Sequence, residues 1–196
     1  SLLMTSFMGL GGLINLQPLP DPEALRNVID SCNADVFAGV PALYTQMFRE
    51  YRQDPDDYDL TSLEYVVCAA APLAEDVRKT IQQEWDVVMI EGWGMTETAP
   101  AGTIEPVTGV RKEAGCVGPA VPGVEIRIVD PETRETRLEP DDLQPFPSED
   151  IDFEDEQQVS GELAIRGGPV FEGYHNRPEK NDEVFDDHGW FYTEDI

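Results

Sequence analysis

The sequence predicts an α/β fold, a mostly parallel sheet flanked by helices over residues 1–101, followed by a small β-rich subdomain over residues 102–196. Three observations predict it. Short apolar runs alternate with amphipathic stretches over residues 20–91, the pattern of strands buried on both faces and covered by helices. From about Gly102 the helical periodicity fades, and short strand-like runs alternate with Gly and Pro. The chain of 196 residues is 40% hydrophobic and 9% aromatic, enough for a sizeable core.

The first helix is expected between Leu19 and Asn33, because Asp21 can cap it and Pro22 suits its first turn. Leu25, Val28, Ile29 and Cys32 then form its apolar stripe. Asp35-Val36-Phe37-Ala38 reads as a buried strand. A second helix runs from Pro41 to Tyr51 on a stripe of Leu43, Met47 and Phe48, with Tyr44 and Tyr51 beside it, and Asp54-Pro55 ends it. Leu63 to Ala69 forms a strand, Ala74 to Trp85 a helix facing inward through Val77, Ile81 and Trp85, and Val87 to Ile90 another buried strand. In such sheets ligands collect at the carboxyl ends of strands. Downstream, Val124–Val129 and Glu162–Ile165 are strands, and Pro131–Ser160, rich in Asp, Glu and Pro, reads as a long solvated loop.

Thirteen Lys and Arg stand against 40 Asp and Glu, a net charge of −27 that excludes a binder of nucleic-acid backbone. The acids are spread along the chain, and Lys79, Lys112 and Lys180 are its lysines, a balance expected of a protein adapted to a salty cytoplasm. An acidic interaction surface is the alternative. Cys32, Cys68 and Cys116 are widely spaced in apolar or small-residue surroundings and are expected to be reduced core thiols; with His175 and His188 they complete no zinc spacing, and no structural metal is expected. No apolar run is long enough to span a membrane, and Ser1–Leu16 lacks a cationic start, so a cytoplasmic protein is expected.

The chemistry concentrates in Glu91-Gly92-Trp93-Gly94-Met95-Thr96-Glu97-Thr98, directly after a buried strand. Glycines there let a ligand approach the backbone, an aromatic offers a face to a flat base, and a hydroxyl beside a carboxylate suits a phosphate and its Mg²⁺. A plain Gly-rich turn with a core Trp is the structural alternative.

This stretch resembles the Tyr/Trp-Gly-Met-Thr-Glu motif of the adenylate-forming superfamily, which includes acyl-CoA synthetases, luciferases and peptide-synthetase adenylation domains. Further marks follow in the family's order. Gly39-Val40-Pro41-Ala42-Leu43-Tyr44 is similar to its Val-Pro segment, and Cys68-Ala69-Ala70-Ala71-Pro72-Leu73 to its adenine loop. Gly115-Cys116-Val117-Gly118-Pro119, Pro122-Gly123-Val124, Gly161-Glu162-Leu163, Gly173-Tyr174 and Gly189-Trp190-Phe191-Tyr192-Thr193-Glu194-Asp195 complete the series.

The resemblance implies part of the large N-terminal domain of an AMP-forming acyl-CoA synthetase that uses a carboxylic acid, ATP, Mg²⁺ and coenzyme A. Thr96 would hydrogen-bond the α-phosphate and Glu97 would hold Mg²⁺, the two residues closest to catalysis. Trp93 would stack on adenine, and Ala70, Ala71 and Pro72 would leave main-chain groups open to the base. Gly94 and Met95 join this nucleotide set, and Asp195 would accept hydrogen bonds from the ribose. Val40, Gly92 and Gly94 would shape the acyl pocket, their small side chains leaving room for a medium or long aliphatic chain, and no Asp stands where amino-acid-activating relatives place an amine partner, which favours a fatty or aryl acid. One departure stands out: the family usually has Gly where this chain has Glu194. The phosphate loop is expected before residue 1, and the hinge and lysine-bearing domain after residue 196, so the segment alone is expected to be inactive. The competing expectation is a non-catalytic nucleotide-binding or regulatory module of the same fold.

Overall fold

In a computed structural model of the chain, which describes residues 9, 11–16, 21–57, 59–107, 115–143, 151, 152 and 154–196, α1 (Pro22–Cys32) begins where the Asp21-Pro22 pair predicts. The Asp21 carboxylate accepts the Ala24 N–H at 2.9 Å. Asn33 closes the helix in the left-handed conformation at φ 46°, which asparagine tolerates. Alternation then continues through β1 (Val36–Gly39), α2 (Pro41–Tyr51), β2 (Tyr65–Cys68), α3 (Glu75–Trp85) and β3 (Val88–Trp93). The three strands are parallel, and the two-residue β4 (Thr103–Ile104) lies beyond β3.

The chain divides into two units, Ser1–Trp93 with Ile104–Gly118, and Gly94–Thr103 with Pro119–Ile196. In the first, α1 contributes Leu25 and Ile29, α2 Tyr44 and Met47, and α3 Ile81 and Trp85 to a core built on Val66 and Met89 of the sheet. Tyr44 is fully buried, and its hydroxyl reaches the carbonyl oxygens of Val67 at 2.8 Å and Phe37 at 3.1 Å, so its polar end is satisfied across two strands. The centre of the α2 stripe is therefore Tyr44 and Met47, while Leu43 and Phe48 are only partly buried.

The second unit holds an antiparallel sheet in the order β6 (Thr136–Leu138), β5 (Val124–Val129), β7 (Glu162–Gly167), β8 (Phe191–Tyr192). Val129, Ala164, Trp190 and Tyr192 cluster in its core. Arg127 lies over the Trp190 ring at 4.3 Å, and Arg134 over the Tyr192 ring at 4.0 Å. Phe171, Tyr174, Phe185 and Phe191 pack edge to face or tilted in a second aromatic cluster.

The structure corrects three expectations. Cys32 and Cys116 are exposed, and only Cys68 is a core thiol, because the apolar neighbours of the other two in sequence are not their neighbours in space. The acidic stretch after Pro131 is not one loop: β6 pairs with β5 there, and the short helices α4 (Pro140–Leu143) and α5 (Glu156–Val159) follow, while residues 144–150 and 153 lie outside those described. The strand before the Thr-Glu motif runs on through Trp93, so Gly92 and Trp93 are strand residues, not turn residues.

Candidate active site

Strand register levels the carboxyl ends of the first sheet. Gly39 pairs with Cys68, and Cys68 with Glu91, so Val40, Ala69 and Gly92 are each the next residue along one edge. Val40 is 46% exposed at the N-cap of α2, where Pro41 fits the first turn without an N–H. After β2 the residues Ala69, Ala70, Ala71 and Pro72 are all exposed, and no side chain there extends beyond a methyl or a ring. Ala70 sits at φ 76°, a left-handed conformation that costs an L-residue roughly 1–2 kcal/mol. Such strain concentrates where a loop must hold a specific shape.

Beneath this edge lies a buried ion triad. Arg78 on α3 donates from one nitrogen to Glu91 at 2.5 Å and to Glu105 at 2.8 Å, and from another to the Met89 carbonyl at 2.8 Å. Glu105 also accepts the Glu91 N–H at 2.7 Å. Burial alone would lower the guanidinium pKa, yet hydrogen bonds and charge from the two carboxylates leave it raised. The neighbouring Cys68 thiol is pushed up to about 12 by burial and by the Glu91 charge, with Arg78 opposing, so it is not a nucleophile at neutral pH.

The Thr-Glu motif belongs to the second unit. Gly94 starts it, and a Cβ there would overlap the Pro100 carbonyl, so glycine is required for the chain's own packing. Thr96–Thr98 form one 3₁₀ turn, with Met95 entering it in extended conformation. Thr98, fully buried, pins that turn: its hydroxyl accepts the Met95 N–H and reaches the Met95 carbonyl, each at 3.0 Å. Thr96 is exposed and Glu97 half-buried. The Glu97 carboxylate accepts the Tyr174 hydroxyl at 2.9 Å, and its carbonyl accepts the Phe171 N–H at 2.8 Å. Burial first, then the hydrogen bond and charge of Glu97, raise the Tyr174 phenol's pKa.

Asp195 is exposed at the side chain, while its carbonyl accepts the Leu163 N–H at 2.9 Å, tying it to β7. Glu194 lies at φ 62° and pairs with Lys180 at 2.9 Å. The structure thus brings Val40, Ala70, Ala71, Pro72, Gly92 and Trp93 to one strand-end edge, and gathers Gly94, Met95, Thr96 and Glu97 in a single turn. Asp195 stands on a separate stretch of the second unit. Sequence reasoning assigned no role to Thr98, Tyr174 or the Arg78 triad. A signal existed for the triad, since Glu91 interrupts an apolar strand and Arg78 shares the face of Ile81 and Trp85. Tyr174 stands in the Gly173-Tyr174 motif, but nothing in the sequence ties it to its partner Glu97, 77 positions away.

Thr96 and Glu97 supply a neutral and an anionic oxygen side by side, the hard donors that Mg²⁺ takes. Among the described residues no three Asp, Glu, His or Cys side chains converge on one ion.

A profile of the family described as AMP-binding enzyme matches residues 1–175. The chain belongs to this family. AMP-binding relatives agree in fold and in sequence. 4-Coumarate--CoA ligase 1 of Arabidopsis thaliana is 27% identical over 200 residues, covering 99% of this chain and 32% of the relative. The long-chain-fatty-acid--CoA ligase of Bacillus subtilis (strain 168) is 26% identical over 194 residues, covering 99% and 31%. The crystal structure of ATP-bound MatB from Rhodopseudomonas palustris superposes with a TM-score of 0.72 at 30% identity, over 93% of this chain and 31% of that one. The AMP-binding segment thus spans about a third of the length of these relatives. Its homologues include 4-coumarate and long-chain-fatty-acid CoA ligases, and the mixed α/β architecture is that of adenylate-forming enzyme N-terminal domains. Among the described residues no helix is long and apolar enough to cross a membrane.

Proposed function

We propose that this segment is part of an ATP-dependent acid–thiol ligase. In the proposed reaction a carboxylate oxygen attacks the α-phosphorus of ATP, pyrophosphate leaves with the electrons of the broken P–O bond, and a thiol such as coenzyme A then displaces AMP from the acyl carbon. The observation that carries this reading is the Thr96–Thr98 turn leaving β3, with its exposed hydroxyl and its anchored carboxylate. Thr96 would donate its hydroxyl to a nonbridging α-phosphate oxygen, and Glu97 would hold Mg²⁺. When bound, Mg²⁺ offsets the negative charge that builds on the phosphates. Trp93 would cover the adenine, the short side chains of Ala70, Ala71 and Pro72 would leave main-chain groups within its reach, and Met95 and Gly94 would line the same nucleotide set. Asp195 would accept from the ribose hydroxyls.

Val40 and Gly92 would border the acyl group, and their small size favours a fatty or aryl acid. Gly94 would contribute by letting the turn pass close to Pro100. The spread of acidic residues supports a halophilic, cytoplasmic enzyme. Without the rest of the ligase the segment would be inactive, since nothing in the resemblance gives this third of the protein a catalytic lysine. Calorimetric titration of the full-length ligase tests the reading. Micromolar binding of a nonhydrolysable acyl-adenylate analogue together with binding of MgATP is expected. Binding of ATP without the analogue would favour the regulatory module, and binding of neither would reject the proposal.

A further inference from the structure

One loop holds Glu97 twice. Phe171 fixes its main chain and Tyr174 its carboxylate, and the loop is itself clamped. Asn181 accepts the Tyr174 N–H at 2.7 Å and donates to the Tyr174 carbonyl at 3.1 Å. Gly173 at φ 132° has Asn181 atoms 2.9–3.0 Å from where a Cβ would stand, so no side chain fits between clamp and loop. The Tyr174 ring meets Phe171 edge to face at 4.8 Å, and Phe171 in turn packs on Phe191 of β8. A phenol so placed has little freedom of its own and transmits that order to its partner. Among the described residues, the Tyr174 hydroxyl provides the hydrogen bond that the Glu97 side chain accepts, and it does so at one oxygen, Oε1.

We infer that Tyr174 is a positioning residue for the cation of the nucleotide: its hydroxyl fixes the Glu97 carboxylate in one orientation, with Oε1 engaged and Oε2 presented to the metal. This rests on the reading that Glu97 holds the metal of bound ATP. A carboxylate that must be ordered by the incoming ion binds it more weakly than one already ordered.

The test is Mn²⁺ binding, read by electron paramagnetic resonance in the presence of ATP, on the full-length ligase and its Tyr174→Phe and Glu97→Gln variants. Tyr174→Phe removes one oxygen and keeps the ring on Phe171, and unchanged thermal melting checks that it folds. Asn181→Asp, which keeps the acceptor and loses the donor of the clamp, is the second variant. Loss of one ordering hydrogen bond of ordinary net strength predicts a Kd for Mn²⁺ raised roughly five- to tenfold in Tyr174→Phe, with a smaller rise in Asn181→Asp. Half-saturating Mg²⁺ in ATP–pyrophosphate exchange should rise in parallel, by more than the rate at saturation falls. An unchanged Kd in Tyr174→Phe, with the Kd raised in Glu97→Gln, overturns the positioning role and leaves Glu97 as the ligand. An unchanged Kd in Glu97→Gln overturns both.

Discussion

Glu194 shows what a single backbone angle records. At φ 62° it occupies the region that costs an L-residue roughly 1–2 kcal/mol and glycine almost nothing. The resemblance expects Gly at this position, and the observed angle supplies the reason. Its carboxylate is held by Lys180, an exposed pair that contributes little. Glu194→Gly is therefore expected to stabilise the protein by about 0.5–1 kcal/mol, a rise of roughly 1–4 °C in melting temperature measured by calorimetry. A lowered melting temperature would mean that the Lys180 contact outweighs the strain. At this scale the sequence singles out Thr96 and Glu97 through their order behind an apolar strand, the arrangement that the proposed phosphate and metal contacts would need. Tyr174 and Thr98 stand within motifs and Arg78 on an apolar helix face, yet which partners they bind is not announced, and a contact such as that of Tyr174 with Glu97, 77 positions away, leaves no local pattern.

β3 joins the two kinds of information. Its apolar start, Val88-Met89-Ile90, is visible as a buried strand, and Glu91 is the point at which the strand becomes an anchored edge. Arg78, 3% exposed, neutralises one of two carboxylates and holds the Met89 carbonyl, so it fixes the part of the strand that leads into its last residues, Gly92 and Trp93. Arg78→Met should cost about 3–5 kcal/mol in urea unfolding, since it strands two buried acids, whereas replacing the whole triad with apolar residues should cost far less. A loss under roughly 1 kcal/mol for Arg78→Met would show that water already reaches these groups. The helices were legible almost to the residue at their starts because Asp21-Pro22 and Val40-Pro41 are local stop-and-start signals. β6 was not, since Thr136-Arg137-Leu138 has too short an apolar pattern to read, and its identity comes from pairing with Ile128 and Val129.

Over the whole molecule the dominant quantity is charge. With −27 on 196 residues, mutual repulsion opposes compaction until salt screens it, and near 1 M the Debye length falls to about 3 Å. The halophilic reading predicts a melting temperature that rises by roughly 10 °C or more between 0.1 and 2 M KCl, and a flat profile would reject it. A helix-flanked parallel part and a β-rich part are both legible from the change of pattern near Gly102, whereas the antiparallel order of the second sheet comes from its pairing. The choice of acid is not written at that scale, since in the proposed reading a few side-chain volumes at Val40 and Gly92 would decide it. The account as a whole stands on Glu97 gripping the metal of a nucleotide. The direct measurement is ATP–pyrophosphate exchange by the full-length ligase with Glu97→Gln at matched Mg²⁺. A fall of about a hundredfold or more is expected for the loss of a group that stabilises transition-state charge. Exchange within roughly threefold of the unaltered enzyme would contradict the account.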